Sequence, residues 1–294
     1  MSPDTALALC RFLHDASVML LWGGCAYLAW LVPRELAEAV GRRLRTLTIV
    51  AVAVAVATVL LALPLETAEI GEGWNDAIDL ETIHDVLFGT TVGSAWMAQF
   101  LCALVLAGAA LVRWRARLVA MAVASGLLLA SLALTGHAVM QSGWTGAGHI
   151  ANDIVHVLAG GAWLGALIPL LPVLAALSNP ARRSDAGRAL RRFSNVGHAA
   201  VALVLASGLI NTLLILGHLP LDWSSPYQQL LTAKIVLVAV MTGLAIVNRY
   251  VFVPMMKRSR INVTAALRFA TIAEIALGLG AIGAVSVFGM LEPQ

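Results

Sequence analysis

The chain has 294 residues, 60% of them hydrophobic and 12% charged, with a formal net charge of +3 and a mean hydropathy of +0.87. Soluble domains carry about a quarter charged residues, so this chain lacks the polar surface needed to fold in water. Disorder, a secreted disulfide scaffold and an ordinary cytosolic enzyme are excluded, and a membrane protein is left.

A helix crosses the hydrocarbon core with about 20 apolar residues. Eight such stretches are predicted, at 6–31, 46–65, 95–112, 118–136, 151–176, 193–217, 228–248 and 265–290. The alternation of a membrane β-barrel is absent, so the expected fold is all-α, one bundle of eight transmembrane helices without a dividing linker. The first stretch carries Arg11, His14 and Asp15 and then Gly23-Gly24. It is too long for a removable signal and has no basic leader, so it is expected to remain as a span. After the second span, the connector 66–94 holds Glu66, Glu69, Glu72, Asp76, Asp79, Glu81 and Asp85 and no base. Asp79 is placed to cap a short interfacial helix through Phe88 that carries His84.

The fourth span ends at His137, with Met140 just beyond, and the fifth opens on His149, Asp153 and His156. Their i, i+4, i+7 spacing puts imidazole, carboxylate and imidazole on one helical face. Gly161 and Gly165, beside Gly160, form a small-xxx-small face for close helix contact. Gly278, Gly280 and Gly283 read the same way in the last span.

Seventeen of the 19 Lys and Arg residues fall in alternate connectors: those following spans one, three, five and seven. By the positive-inside rule these connectors are cytoplasmic and both termini lie on the outer side. The positive charge is thus a topology signal and gives no reason to expect nucleic-acid binding.

Ionisable groups inside a span cost at least about 2.5 kcal/mol near its centre and face a partner or a cavity. Here they are Arg11, Asp15, Lys234 and Glu274 together with the histidines. Arg11 and Asp15, four apart, are placed to pair with each other. Lys234 lies about two turns below the outer surface, within snorkelling reach. Glu274 is too deep and short to do so, and needs neutralisation, a basic partner or a path. His14, His137, His149 and His156 all fall in the outer half, whereas His198 does not; His218 lies in an outer connector. Imidazole suits copper, zinc, iron and nickel, a carboxylate can ligate or orient a ligand, and a Met such as Met140 favours copper(I). Cys10, Cys25 and Cys102 are isolated in apolar spans with no C-x-x-C, and no phosphate-binding loop is present. A transporter or binding protein is expected in preference to a catalyst.

In this order the motifs resemble the copper-resistance D (CopD) family of bacterial inner-membrane proteins. The resemblance rests on Gly23-Gly24 after His14, Thr91-Val92-Gly93 with Trp96, Thr135-Gly136-His137-Ala138, and Asp153 and His156 before Gly161-Ala162-Trp163-Leu164-Gly165. It continues in Arg192-Phe193-Ser194, Ser207-Gly208 with Asn211, Leu231 with Lys234, Asn248-Arg249 before Pro254, and Glu274. Gln99 departs from it, standing where an arginine is expected. The resemblance implies a multi-pass inner-membrane protein that moves copper from periplasm to cytoplasm, often beside a small periplasmic copper-binding partner, CopC. It also implies His14, His137, Asp153 and His156 as copper-site residues, with Lys234 and Glu274 functional. Three readings follow: a copper permease or non-transporting copper receptor, a haem-b electron carrier clamped by two of the imidazoles, and a structural subunit whose polar groups only lock helices. Lipid surrounds the bundle in each case, and homo-oligomers are compatible with all of them.

Overall fold

The computed structural model describes residues 1–112, 116–136, 141–255 and 260–293. Among them are eight helices long and apolar enough to cross a membrane. They are α1 (Pro3–Ala26), α3 (Arg45–Ile70), α5 (Thr91–Leu111), α6 (Arg117–Ala130), α7 (Gly143–Ala176), α8 (Arg183–Leu216), α9 (Pro226–Val247) and α11 (Arg260–Phe288). The predicted spans are all present, and several helices outrun them. Helix α7 begins eight residues before its apolar stretch, and α8 begins ten before, in the basic segment. A helix of 34 residues is about 51 Å long, so both project beyond a hydrocarbon core of about 30 Å.

Local signals set the ends. Ser2 caps α1, its hydroxyl accepting from the Thr5 amide at 3.3 Å, with Pro3 at the first helical position. Short α4 (Leu80–Gly89) starts on Asp79, whose carboxylate accepts from the Thr82 amide at 3.0 Å and from the Thr82 hydroxyl. Those bonds, the hydroxyl's first, hold the Asp79 carboxyl below its usual range. The predicted interfacial helix is therefore present, and His84 on it is exposed. One helix is not apparent in the hydropathy: α2 (Arg34–Arg43), which buries Leu36, Ala37 and Val40 and turns its bases outward. Two short π-helical stretches, Tyr27–Leu31 and Asn248–Phe252, extend α1 and α9, and Val253–Met255 forms a last turn, α10.

Helix α1 is central, packing against α3, α6, α7 and α11. Its tightest neighbour is α7. A Cβ placed on Gly23 would strike the Gly161 carbonyl oxygen and reach within 2.9 Å of the Ala166 nitrogen and Gly165 Cα. One on Gly165 would strike the Met19 carbonyl. Thus the predicted small-residue face is an interhelical contact, with Gly23 as its counterpart on α1. In hydrocarbon the hydrophobic effect does not drive helices together, so this close approach supplies van der Waals contact instead. Two indole N–H groups add cross-links, from Trp22 to the Leu158 carbonyl at 2.9 Å and from Trp96 to the Val59 carbonyl at 2.7 Å. Around the outside, Leu60, Leu61, Leu101, Leu104, Val105, Leu209 and Val236 are exposed and apolar, as lipid-facing residues must be.

Alanine at Gly165 forces the α1–α7 crossing apart. The expected loss is about 1–3 kcal/mol, the cost of overpacking, read as a lowered thermal midpoint in detergent. Alanine at Gly243, where a Cβ meets nothing within 4 Å, is expected to leave that midpoint unchanged or raise it.

Candidate functional site

Helices α1 and α7 cross with the same sense, each entering the bundle at the end that holds both termini. His14 lies nine residues before Gly23; His156 lies five before Gly161 and nine before Gly165. At 1.5 Å per residue these offsets are about 13 Å and about 7–13 Å, so the crossing brings both imidazoles to one depth. There a cavity of about 280 Å³ is lined by Arg11, His14, Asp15, Glu66, Gln99, His149, Asp153, His156, Asn211 and Lys234. The face predicted from residues 149, 153 and 156 therefore opens on the same space as His14 and Asp15.

Hydroxyl groups set the imidazole orientation. The Thr58 hydroxyl donates to the Val54 carbonyl at 2.8 Å, one turn back along α3. Its lone pairs are then open to the Nδ1–H of His14, at 2.9 Å, with the Ala55 carbonyl a further acceptor on that side. The arrangement recurs on α8: the Ser207 hydroxyl donates to the Leu203 carbonyl and accepts from His156 Nδ1–H at 2.9 Å, beside the Val204 carbonyl. With the hydroxyl protons so directed, the hydroxyl oxygens favour the tautomer with its proton on Nδ1 and its lone pair on Nε2 in both rings. The Nε2 of His14 is buried without a hydrogen-bond partner. Gly208 leaves room for the second ring, since a Cβ there would sit 3.1 Å from His156 Cε1. An imidazole fixed through one nitrogen so that the other points at open space is the usual preparation of a metal ligand.

Asp153 is oriented by amides. Its carboxylate accepts from Asn211 Nδ2 at 2.8 Å; Asn211 Oδ1 accepts from Asn152 Nδ2 at 2.6 Å, and Asn152 Nδ2 also donates to the Ser207 carbonyl at 2.9 Å. Lys234 has its ammonium 5.7 Å from the centre of the Phe288 ring. It lies within electrostatic reach of both Asp15 and Asp153, inside the cavity and not snorkelled away from it. Arg11 does not pair with Asp15 as its spacing suggests. The guanidinium reaches across to Glu66 on α3 at 2.8 Å and to the Gly289 carbonyl at 3.4 Å, because Asp15 lies one turn deeper in the cavity.

The remaining sequence candidates divide. His137 and Met140 lie outside the described residues, although Thr135 and Gly136, just before them, line the cavity. His149 lines it too, with its Nδ1 buried and unpartnered. Among the described residues no three His, Cys, Asp or Glu side chains are grouped closely enough to share one ion. His14, Asp153 and His156 therefore share a cavity without forming a three-ligand cluster. Glu274 is elsewhere: it is 3% exposed, accepts from Asn248 Nδ2 at 2.6 Å, and pairs with an amide where a basic partner was one expectation. With His198 it lines a second, mostly apolar cavity of about 420 Å³ at the opposite end of the bundle. His198 itself donates from Nδ1 to the Ser194 carbonyl at 2.6 Å, and His218 in the same way to the Leu219 carbonyl at 2.7 Å; both are exposed. The sequence offered no sign of Thr58, a hydroxyl flanked by apolar residues in its span, or of the Arg11–Glu66 pair. Ser207 and Asn211 stood within a motif but without a role.

Comparison with known proteins gives this arrangement its relatives. Residues 1–147 match the family described as copper resistance protein D-like, N-terminal domain, and residues 187–288 match copper resistance protein D. The chain is 34% identical to inner membrane protein YebZ of Escherichia coli (strain K12), over 96% of this chain and 97% of that one. It is 28% identical to copper resistance protein D of Pseudomonas syringae pv. tomato, over 70% of each. It is also 29% identical to copper transport protein CutJ of Bacillus subtilis (strain 168), over 87% of this chain and 47% of that longer protein. Among solved structures, the bd oxidase from Geobacillus thermodenitrificans aligns with all of this chain and 88% of its own at a TM-score of 0.52. At 11% identity that likeness is one of fold alone. With eight helices among the described residues long and apolar enough to cross a membrane, two matching family regions and a relative aligned almost end to end, this chain is a multi-pass inner-membrane protein of the copper resistance protein D family.

Proposed function

We propose that this protein takes copper from the periplasm in the cavity between α1, α7 and α9 and passes it to the cytoplasm. The observation that carries this reading is the pair of imidazoles, His14 and His156, each held at Nδ1 by a hydroxyl at 2.9 Å and each presenting Nε2 in one cavity. Imidazole nitrogen is a good copper donor, and the hydroxyls beside the two rings are turned back to carbonyls of their own helices, which suits them to orient the rings. Asp153, turned by Asn211, supplies negative charge next to the donors. The basic connectors at the other end support a periplasmic placement of the cavity. There the acidic segment 66–94 draws cations toward Glu66 and Arg11, and is suited to a small periplasmic copper carrier.

Uptake of copper into vesicles containing only this protein tests the reading. Uptake is expected for the native chain and a loss of at least tenfold for His14→Ala and His156→Ala. Copper affinity unchanged in both variants would overturn the site. Binding without uptake would replace the permease with a receptor, and a Soret band in the purified protein would replace copper with haem.

The hydroxyls give a second test. Thr58→Val removes the acceptor for His14 Nδ1–H while keeping the shape of the side chain. An affinity loss of about 10–100-fold is expected, the range for losing a ligand's supporting partner; Thr58→Ser is expected to restore it. Isothermal titration of the two variants against the native protein reads the difference.

A further inference from the structure

At the basic end of the bundle, away from His14 and His156, lies another cavity, of about 940 Å³. Ligand pockets span about 300–1,000 Å³, so this one is large enough for a sizeable molecule. Among the described residues its lining holds five arginines, Arg34, Arg42, Arg45, Arg117 and Arg192, and one acid, Glu38. Arg34 and Arg42 stand on α2 and Arg45 opens α3, whereas Arg117 opens α6 and Arg192 stands on α8. The positive-inside rule explains why bases occupy these connectors. It does not require three separate connectors to deliver them to one space.

Helix α2 does most of the gathering. Its apolar residues Leu36, Ala37 and Val40 are buried in a core with Leu170 and Leu174 of α7 and Leu190 of α8. That packing leaves Arg34, Glu38, Gly41 and Arg42 along the cavity, at the i, i+4, i+7 and i+8 positions of one helical face. Glu38 accepts from Arg34 at 3.0 Å. Among the described residues the other four arginines make no ion pair with a carboxylate within 4.0 Å. Like charges gathered in this way repel one another, so the arrangement favours an anionic occupant. The planar fork of N–H donors on arginine matches phosphate oxygens in particular.

Away from the arginines the lining is apolar. Leu20, Gly24 and Leu28 of α1 extend it by about 12 Å along that helix, into the span. Leu111 and Val119, also in the lining, are 83% and 41% exposed, so the cavity opens sideways toward lipid. A free phosphate gains nothing from such walls, whereas an acyl chain is matched by them. We propose that this cavity binds one anionic phospholipid, its phosphate among the arginines and the upper part of an acyl chain against α1. Basic pockets between transmembrane helices hold anionic lipid headgroups in this manner. The proposal is independent of the copper reading.

Native mass spectrometry of the full-length protein, titrated in detergent with one probe at a time, tests it. The probes are phosphatidylglycerol, zwitterionic phosphatidylcholine and inorganic phosphate. The native protein is expected to bind one phosphatidylglycerol at least about tenfold more tightly than phosphatidylcholine, and to retain no inorganic phosphate at the same concentrations. Arg42→Gln and Arg117→Gln are each expected to weaken phosphatidylglycerol about fivefold, the scale of one basic residue at an anionic membrane surface. Arg43→Gln removes the same charge from the same helix but outside the cavity lining, and is expected to leave the affinity unchanged. Gly41→Leu places a side chain where a Cβ meets nothing within 4 Å. It replaces a poor helix former by a good one, so the thermal midpoint is expected to hold or rise while lipid affinity falls at least about fivefold. Equal losses in Arg43→Gln and Arg42→Gln would reduce the site to diffuse surface charge and overturn the proposal. Phosphatidylcholine held as tightly as phosphatidylglycerol would overturn the role of the arginines, and inorganic phosphate held as tightly as the lipid would overturn that of the apolar walls. A native protein that retains none of the probes overturns it outright.

Discussion

The structure depends on the crossing of α1 and α7 at Gly23, Gly161 and Gly165. Backbone meets backbone there: a Cβ on Gly23 would occupy the place of the Gly161 carbonyl oxygen and one on Gly165 that of the Met19 carbonyl, while one on Gly161 would strike the Leu129 and Trp22 side chains. Such an approach fixes the relative height of two helices more tightly than interdigitating leucines, which can change rotamer. Four polar groups of the cavity lie within about three turns of that point on the same side: His14 and Asp15 on one helix, Asp153 and His156 on the other. The glycines touch no polar ligand, but they determine which imidazole faces which carboxylate. Trp22 secures the same joint by donating to the Leu158 carbonyl, and Gly126 leaves its indole room, with ring carbon 3.1 Å from a Cβ placed there.

Around that joint the bundle solves one problem twice. A histidine in hydrocarbon must satisfy its N–H, and a backbone carbonyl in a helix is already engaged. Thr58 and Ser207 meet this need by turning their own protons back to the carbonyl one turn earlier, which leaves oxygen lone pairs for the ring. Back-bonding of this kind slightly weakens a soluble helix. In a span it costs little, because the hydroxyl has no water to compete for it. The consequence for the site is directional: each ring is held by its protonated nitrogen and presents the other.

How much of this was legible follows from which forces act at short range in sequence. Span number, the acidic connector, the cap at Asp79 and the face shared by His149, Asp153 and His156 all follow from hydropathy and helical periodicity. These are properties of contiguous residues. The small-residue face at Gly161 and Gly165 was visible too, but its partner on α1 was not, since Gly23 has no periodic companion in its own helix. The expected pairing of Arg11 with Asp15 failed for the same reason. An i, i+4 spacing states that two side chains can meet, whereas the choice of Glu66 depends on how α3 leans against α1. Helix α2 was missed because its apolar face is only Leu36, Ala37 and Val40, too short to register beside the four arginines read as a topology signal. Thr58 illustrates the deepest limit. One hydroxyl among valines and alanines looks like tolerated packing, and acquires meaning only when a histidine from another helix reaches it.

The same crossing that assembles the cavity also closes it. Below His14 and His156 the glycine contacts leave no space between α1 and α7, and Leu164 fills the neighbouring gap by packing on Gly278 of α11. Glu274 and Asn248, the next buried polar pair, lie beyond that layer. An ion moving from one cavity to the other therefore has to part helices at their closest contact, or pass where Leu164 can rotate away from Gly278. The second route disturbs one side chain, and the first disturbs the joint on which the whole bundle is hung. Under the proposed transport, that asymmetry favours the Leu164 side chain over the helix crossing as the part that yields. Helix α11, on which Leu164 packs, carries Glu274 toward one end and Phe288, under the ammonium of Lys234, toward the other, and so lines both cavities.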